Sequence, residues 1–140
     1  MKELVLLVGP PGSGKTTYYK EFLTDHRYVN QDSQGKVGHF QSFLKLIAND
    51  HSKIVVDRCN FSKKQRKRYI DPAKYLGYKV KIIVMPILHE AEYFNRARQR
   101  ADHPTIKKDL TDEKIKNIIN FFVQNLELPK DTEADKIVWL

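Results

Sequence analysis

Residues 4–16 read LVLLVGPPGSGKT, and this stretch decides the fold of the chain. The apolar residues 4–8 predict a buried strand, and the glycines after them let the backbone wrap tightly with its N–H groups pointing inward. The next residues predict a helix over about 15–25, whose N-terminal dipole adds positive potential at the turn. A strand, a glycine-rich turn and a helix in this order form a cradle for phosphate groups.

The spacing G-x-x-x-x-G-K-T over residues 9–16 is that of a phosphate-binding loop, or P-loop. In this pattern the Lys15 ammonium reaches the β- and γ-phosphates of a nucleotide, and the Thr16 hydroxyl can ligate Mg²⁺. The sequence therefore predicts that the chain binds a nucleoside triphosphate, ATP or GTP, together with Mg²⁺. The predicted nucleotide-binding residues are Gly9, Gly12, Ser13, Gly14, Lys15, Thr16 and Thr17.

The length and charge of the chain limit the class of protein. Its 140 residues suit one domain and a minimal kinase, but are few for a motor ATPase, a helicase or an AAA-type machine with coupling elements. The net charge of +8 favours a polyanionic partner, chiefly nucleic acid. Cys59, the one cysteine, rules out an internal disulfide, and no apolar run reaches membrane-spanning length. We expect a soluble cytoplasmic protein without membrane contact; its oligomeric state stays open.

Apolar strands alternate with helical stretches along the chain, which predicts an α/β fold with a parallel sheet between layers of helices. We expect one three-layer P-loop kinase domain over residues 1–140, with a lid at about 94–108. Pro72 should kink or interrupt the third helix. The expected strands are Glu3–Val8, a short one ending near 29–30, then 54–56, 80–85 and 136–140. The expected helices are about 15–25, 37–50, 62–76, 89–101 and 112–126.

Polar side chains follow the predicted second and third strands, at the edge where parallel sheets bind ligands. Asp32 is placed to accept the proton of an alcohol, as an aspartate does in other kinases, or else it caps the turn before Gly35. Asp57 resembles the acidic residue that holds Mg²⁺ directly or through water, with substrate positioning as the competing role. Asn60 either positions substrate or forms a structural Asx turn.

Two basic segments are candidates for contacts with phosphate. Arg96 and Arg100 share one helix face, and on a mobile lid they can stabilise a transferring phosphoryl group; a solvated basic face is the alternative. Residues 63–68, KKQRKR, carry five positive charges. They either follow a nucleic-acid backbone or form the solvated face of a helix whose buried side carries Tyr69 and Ile70.

Over about residues 1–105 the chain resembles the kinase domain of the polynucleotide 5′-hydroxyl kinase family. The resemblance rests on four segments in the same order: residues 9–17, VNQDSQG at 29–35, VVDRCNF at 55–61, and the pair Arg96 and Arg100. The order and spacing of all four carry the assignment, because the P-loop alone is shared by many families. The chain departs from the family pattern on the acceptor side, at Gln31, Gly35, Arg58 and Cys59.

The resemblance implies transfer of the γ-phosphate of ATP or GTP to the 5′-hydroxyl end of RNA or DNA, as in nucleic-acid end repair. It makes Asp32 the general base. The implied catalytic residues are Lys15, Asp32, Arg96 and Arg100, and the implied acceptor-binding residues are Asp57, Arg58 and Asn60. Two alternatives stay open, a small-molecule kinase with a sugar or nucleoside acceptor and a nucleotide-binding module without catalysis. The basic charge weighs modestly against the first, and Asp32 with the arginine pair counts against the second.

Overall fold

The computed structural model describes residues 1–99 and 111–140. Its strands are β1 (Glu3–Val8), β2 (Arg27–Val29), β3 (Lys53–Asp57), β4 (Lys79–Val84) and β5 (Lys136–Trp139). Its helices are α1 (Lys15–Phe22), α2 (Gln31–Gln34), α3 (Lys36–Ala48), α4 (Lys63–Tyr75), α5 (Glu90–Gln99) and α6 (Asp112–Asn125), and a 3₁₀ turn at Asp131–Glu133 precedes β5.

The five strands form one parallel sheet in the order β2-β3-β1-β4-β5. Successive side chains of a strand point to opposite faces, so β1 contributes to two cores. Leu4 and Leu6 pack in the core that α3 and α4 cover, whereas Val5 and Leu7 pack with Leu23 at the end of α1. The predicted three-layer α/β fold is confirmed.

The strand register sets up the ligand-binding edge of the sheet. Leu7 of β1 is the partner of Asp57 of β3, and Val29 of β2 is the partner of Val56. The P-loop, the end of β3 and the start of α2 therefore meet at the carboxyl ends of three adjacent strands. This is the edge at which open parallel sheets bind ligands.

The short helix α2 was not predicted from the sequence, because four residues are too few to show a helical period. The Asn30 side chain caps it by accepting a hydrogen bond from the Ser33 N–H at 3.0 Å. Gly35 ends it with φ +85° and ψ 162°, a backbone conformation that L side chains rarely adopt, and begins α3 in the same step. Asp32 thus stands in the first turn of a helix.

Helix α4 continues through Pro72, so the expected interruption was wrong, whereas the alternative expectation of a kink stays a prediction. Pro72 lies in the last turn, and the helix continues to Tyr75. Gly77, with φ +87°, then ends the helix, because its N–H bonds to the Lys74 carbonyl and the Tyr78 N–H bonds to Ala73, both at 3.0 Å. A proline this close to the end removes one hydrogen bond of the helix without unwinding the turn.

Helices α5 and α6 pack on each other in a small core of their own. Ile115 and Ile119 of α6 are buried against Tyr93 and Ala97 of α5. Thr111 caps α6 through a hydrogen bond from the Lys114 N–H. Within the described residues, no helix has the length and apolar character needed to cross a bilayer.

Candidate functional site

The P-loop is a tight turn that packs directly on α5. Gly12 and Gly14 have positive φ values of 83° and 96°, which glycine alone adopts without strain. A Cβ atom on Gly12 would stand 2.6 Å from the Tyr93 carbonyl oxygen of α5. The loop therefore requires glycine at this position for backbone conformation and for space.

The groups lining the P-loop fit a phosphate. The Lys15 ammonium is held over the loop by hydrogen bonds to the carbonyl oxygens of Gly9 at 2.8 Å and Pro10 at 3.0 Å. Ser13 Oγ is buried and has no hydrogen-bond partner among the described residues. A buried donor without an acceptor, a cation and the N-terminus of α1 at Gly14 converge on one small volume. That combination suits an oxyanion.

The hydroxyl of Thr16 meets the carboxylate of Asp57, which is 2% exposed. Thr16 Oγ1 donates to Asp57 Oδ2 at 2.9 Å, and the Tyr28 hydroxyl donates to the same oxygen at 2.5 Å. Burial and the Asp57 charge raise the pKa of Tyr28, so the phenol remains a donor. A hydroxyl beside a carboxylate is the set of hard oxygen ligands that Mg²⁺ prefers, so Thr16 and Asp57 fit the ion. The contacts of Asp57 favour the metal role over the predicted acceptor role.

A cavity of about 460 Å³ opens beside the P-loop, between the start of α1 and α5. Besides the loop glycines, its lining includes Tyr18, Met85, Pro86 and Leu140, an apolar set of the kind that accommodates a nucleobase. Arg96 also lines this cavity, and its guanidinium donates to Glu92 at 3.1 Å on the solvent side of α5. Arg100 and most of the predicted lid lie outside the described residues.

Charged groups from the start of α1, from α2 and from the end of β3 lie near the side chain of Cys59. Burial raises the pKa of the Cys59 thiol; the Asp32 and Asp57 carboxylates add to the rise, and Lys15 and Arg58 oppose it. A thiol with a raised pKa is a poor nucleophile. Asp32 and the P-loop lysine therefore both lie near this thiol.

Asn60 and Arg58 are held by the protein itself. Asn60 has no exposed surface, adopts a positive φ of 48°, and donates from Nδ2 to the Leu7 carbonyl oxygen at 2.8 Å. Contact with an acceptor would require Asn60 to move, so its burial favours the structural alternative, in which it holds the loop after β3 against β1. Arg58 is half-buried and donates from Nη1 to the hydroxyl of Tyr69 in α4.

The basic run divides into two parts that the sequence did not separate. Arg66 is fully buried, and its guanidinium forms a two-bond ion pair with Glu133 at 2.8 and 3.1 Å. It was predicted to lie on a solvated or phosphate-binding face, and its burial contradicts both expectations. Lys63, Lys64 and Lys67 are exposed, as predicted.

Residues 27–124, more than half of the chain, match a family model described as an AAA domain. The chain belongs to this AAA domain family. The match begins at β2, so the P-loop of residues 9–16 is an additional, separate signature of nucleotide binding. A chain of 140 residues is short for the coupling elements of an AAA-type machine, whereas the family match concerns one domain.

Curated relatives of this AAA domain include two that are 30% identical to it. One is named transcription factor bHLH140 of Arabidopsis thaliana, and the match covers 94% of this chain and 15% of that protein. The other is named as a bifunctional polynucleotide phosphatase/kinase of Acanthamoeba polyphaga mimivirus, with 97% of this chain and 32% of that protein covered. The chain thus spans about a third or less of these relatives. The second relative confirms the resemblance to polynucleotide kinases.

Solved structures share the fold at low sequence identity. A protein from Chloroflexus aurantiacus that is named as a kinase aligns with a TM-score of 0.72 at 11% identity, over 99% of this chain and 87% of that one. A gluconokinase from Sinorhizobium meliloti gives 0.63 at 12%, over 99% and 81%. Chaetomium thermophilum Kti12, solved with ADP-AlF3, gives 0.62 at 16%, over 98% and 88%. At these identities the likenesses show a shared α/β fold.

Two residues of the AAA domain's site were not predicted. Asn30 is 7% exposed; its Nδ2 donates to the Asp57 carbonyl oxygen at 2.8 Å, so one side chain joins α2 to the end of β3. An asparagine three residues before Ser33 is a helix-capping signal, but only once a helix is suspected there. Tyr28 carries no sequence signal for its bond to Asp57, because that bond depends on the pairing of β2 with β3.

Proposed function

We propose that this domain transfers the γ-phosphate of ATP or GTP to the 5′-hydroxyl end of RNA or DNA. The observation that carries the proposal is the convergence of Lys15, Thr16, Asp57 and Asp32 at one edge of the sheet. A donor site with a carboxylate near it is what in-line phosphoryl transfer to an alcohol requires. The resemblance over residues 1–105 and the mimivirus relative support the same reaction.

On the donor side, the P-loop residues Gly9, Gly12, Ser13, Gly14, Lys15, Thr16 and Thr17 would hold the triphosphate. Lys15 would exchange its two carbonyl partners for the β- and γ-phosphates, because an oxyanion is a stronger acceptor for an ammonium than a carbonyl oxygen. Thr16 and Asp57 would hold Mg²⁺, which when bound neutralises charge on the phosphates. The nucleoside would occupy the 460 Å³ cavity beside α5.

On the acceptor side, Asp32 would accept the hydroxyl proton as the 5′-oxygen attacks the γ-phosphorus. Asp32 lies exposed in the first turn of α2, at the edge of the sheet where the acceptor would bind. Arg58 would bind the acceptor phosphate, and Arg96 with Arg100 would close over the transferring group. Asn60 would act by holding the loop that carries Arg58.

Surface charge bears on which class of acceptor the domain would use. The exposed Lys63, Lys64 and Lys67 and the net charge of +8 favour a polynucleotide. The likeness to a gluconokinase, at 12% identity, shows a shared fold and does not favour a sugar acceptor. One relative, from a plant, is named as a transcription factor. The test therefore also includes the alternative of a nucleotide-binding module without catalysis.

The test offers ATP or GTP, labelled in the γ-phosphate, with 5′-hydroxyl oligonucleotides of RNA and of DNA beside a panel of sugars and nucleosides. Label transfer to an oligonucleotide, abolished by blocking the 5′ end with phosphate, is the expected result. Faster labelling of a sugar or nucleoside would show that the acceptor is a small molecule, and the domain would still be a kinase. Nucleotide binding without transfer to any acceptor would identify the non-catalytic module.

A further inference from the structure

A buried chain of hydrogen bonds runs from the acceptor side of the proposed site to the turn that ends α2. Arg58 donates to the Tyr69 hydroxyl, which lies 2.7 Å from Nε2 of His39. Nδ1 of His39 lies 3.0 Å from the Gly35 carbonyl oxygen. His39 and Tyr69 have no exposed surface. These four residues, Arg58, Tyr69, His39 and Gly35, are called the relay below.

The chemistry of the relay fixes the direction of each hydrogen bond in it. A carbonyl oxygen can only accept, so Nδ1 of His39 carries the proton and donates to Gly35. Nε2 then has a free lone pair and accepts the Tyr69 proton, which leaves the phenol oxygen to accept from Arg58. One tautomer of neutral imidazole therefore satisfies all four groups. Burial lowers the pKa of His39, and the cations Arg58 and Arg68 lower it further against the opposing bond to Gly35.

Both ends of the relay lie beside residues of the proposed acceptor side. Arg58 directly follows Asp57 at the end of β3. Gly35 closes α2 with its N–H bonded to the Gln31 carbonyl oxygen at 2.7 Å, three residues after Asp32. The hydrogen bonds of the relay involve none of the P-loop residues 9–16. The relay thus joins the two acceptor-side segments and leaves the donor side alone.

We propose that His39 and Tyr69 are positioning residues that hold Arg58 and the α2 helix of Asp32 in register for the acceptor. The inference rests on the proposed function, because it concerns the acceptor side of the same site. Neither side chain touches a reacting group, since both are buried behind the loops that do. Loss of the relay should weaken the use of the acceptor and spare nucleotide binding. If the two residues only stabilised the fold, their loss would affect acceptor use and nucleotide binding alike.

Tyr69→Phe deletes the hydroxyl that both ends share and keeps the ring, whose edge contacts with Phe40 and Phe43 have centroid distances of 5.8 and 5.2 Å. Tyr78→Phe is the matched control, because Tyr78 is also buried and its hydroxyl donates to His51 O at 2.7 Å. We expect kcat/KM for the acceptor to fall about tenfold in Tyr69→Phe, with the nucleotide Kd unchanged. Neither constant should change in Tyr78→Phe.

A double-mutant cycle tests whether Tyr69 acts through Arg58. Arg58→Ala and Tyr69→Phe are measured singly and together, with kcat/KM for the acceptor as the readout. If the relay is the route, Tyr69→Phe adds less than twofold loss once Arg58 is gone, because partners in one network are not additive. Full additivity, or an equal loss in Tyr78→Phe, overturns the proposal.

A second measurement needs no acceptor. Amide hydrogen exchange of residues 34 and 35 is recorded by NMR in the wild type, Tyr69→Phe and Tyr78→Phe. We expect faster exchange at both amides in Tyr69→Phe alone, because the His39 ring loses its partner at Nε2 and is held less firmly against the Gly35 carbonyl oxygen. Unchanged exchange there overturns the relay even if an acceptor is phosphorylated. Faster exchange in a protein that phosphorylates no acceptor supports the relay and rejects the proposed function instead.

Discussion

Lys15 shows how a single residue is kept ready for a ligand. Its ammonium is bonded to the carbonyl oxygens of Gly9 and Pro10, two backbone groups of the loop that is to receive the phosphate. The charge therefore stays over the loop before any nucleotide binds, and little side-chain freedom is lost on binding. Preorganised charge of this kind is commonly the largest contribution to phosphoryl transfer.

Lys15→Ala should lower the rate of phosphoryl transfer by at least about 100-fold, because it removes the cation that follows the γ-phosphate into the transition state. Folding should survive, since the lysine bonds only to loop carbonyls. The measurement is kcat, with urea unfolding as the check on folding. Lys20→Ala, an exposed lysine on the same helix, is the control. Turnover near that of the wild type would remove the P-loop from the mechanism.

Asp32 is tested by Asp32→Asn, which keeps size and hydrogen bonding but accepts a proton poorly. If Asp32 is the general base, transfer should fall by at least about 100-fold while nucleotide affinity is nearly unchanged. Single-turnover rates and nucleotide titration measure the two quantities separately. Ser33→Ala on the same short helix is the control. Weaker ATP binding with an unchanged transfer rate would make Asp32 a structural or metal-binding group.

Helix α4 has two faces with opposite tasks. Its exposed face carries Lys63, Lys64 and Lys67, whereas its buried face carries Arg66 and Tyr69 into the core. Arg66 also donates to the Asn60 carbonyl oxygen at 2.9 Å, so the helix fixes the loop after β3 as well as the turn before β5. One helix thus supports the proposed acceptor side and presents charge to solvent.

Glu133→Gln should lower the free energy of unfolding by about 3–5 kcal/mol, because it leaves the buried Arg66 guanidinium without its counter-charge. Urea denaturation at neutral pH measures the change. Asp71→Asn is the control, since Asp71 and its partner Lys67 are exposed and 4.0 Å apart. It should change stability by less than about 0.5 kcal/mol. Equal effects of the two variants would mean that the Arg66 pair contributes no more than a surface pair.

Because burial lowers the pKa of His39, this residue should make the protein less stable as the pH falls. Its folded-state pKa lies below the ordinary 6.5, so below that pH the unfolded chain binds more protons than the native one. The contribution is therefore fully present above pH 6.5 and is lost as the pH falls towards the lowered pKa. Urea unfolding at several pH values should show a shallower loss in His39→Gln than in the wild type. The same slope in both proteins would contradict a lowered His39 pKa.

At the scale of the whole molecule, only part of the positive charge is exposed and able to contact a ligand. The chain has 25 lysines and arginines against 17 aspartates and glutamates. Arg66 is buried in an ion pair with Glu133, so its charge is not accessible to a ligand. Lys63 and Lys67 remain exposed on α4. A polynucleotide acceptor would meet these lysines through its phosphates, and that attraction is sensitive to salt.

Acceptor KM should therefore rise steeply with salt, with a log–log slope of roughly 0.7 per contacted phosphate of a single strand, while donor KM changes little. Reversing Lys63 and Lys67 to Glu should weaken oligonucleotide use and flatten the slope. The control reverses Lys79 and Lys136, which begin β4 and β5 at the opposite edge of the sheet, for the same change in net charge. If acceptor KM in the wild type did not change with salt and no oligonucleotide were labelled, the domain would instead be a small-molecule kinase.

Much of this protein was determined by local sequence. The P-loop and the alternation of strands and helices appear where residue chemistry placed them, and local contacts cap α4 at Ser62 and end it at Gly77. Each depends on residues within about one turn of one another, such as Ser62 Oγ accepting from the Gln65 N–H at 3.1 Å. Backbone preferences and capping act over that range, so a linear pattern records them.

The tertiary structure decided what distant residues do to one another. The sequence assigned Arg66 a solvated or phosphate-binding face, because a basic run gives no sign that Glu133, 67 positions away, lies opposite. It left Asp57 between metal and acceptor, and the pairing of β2, β3 and β1 brings Tyr28 and Thr16 to its carboxylate. Such contacts follow from strand order and helix packing, which fix partners across the fold that no local spacing encodes.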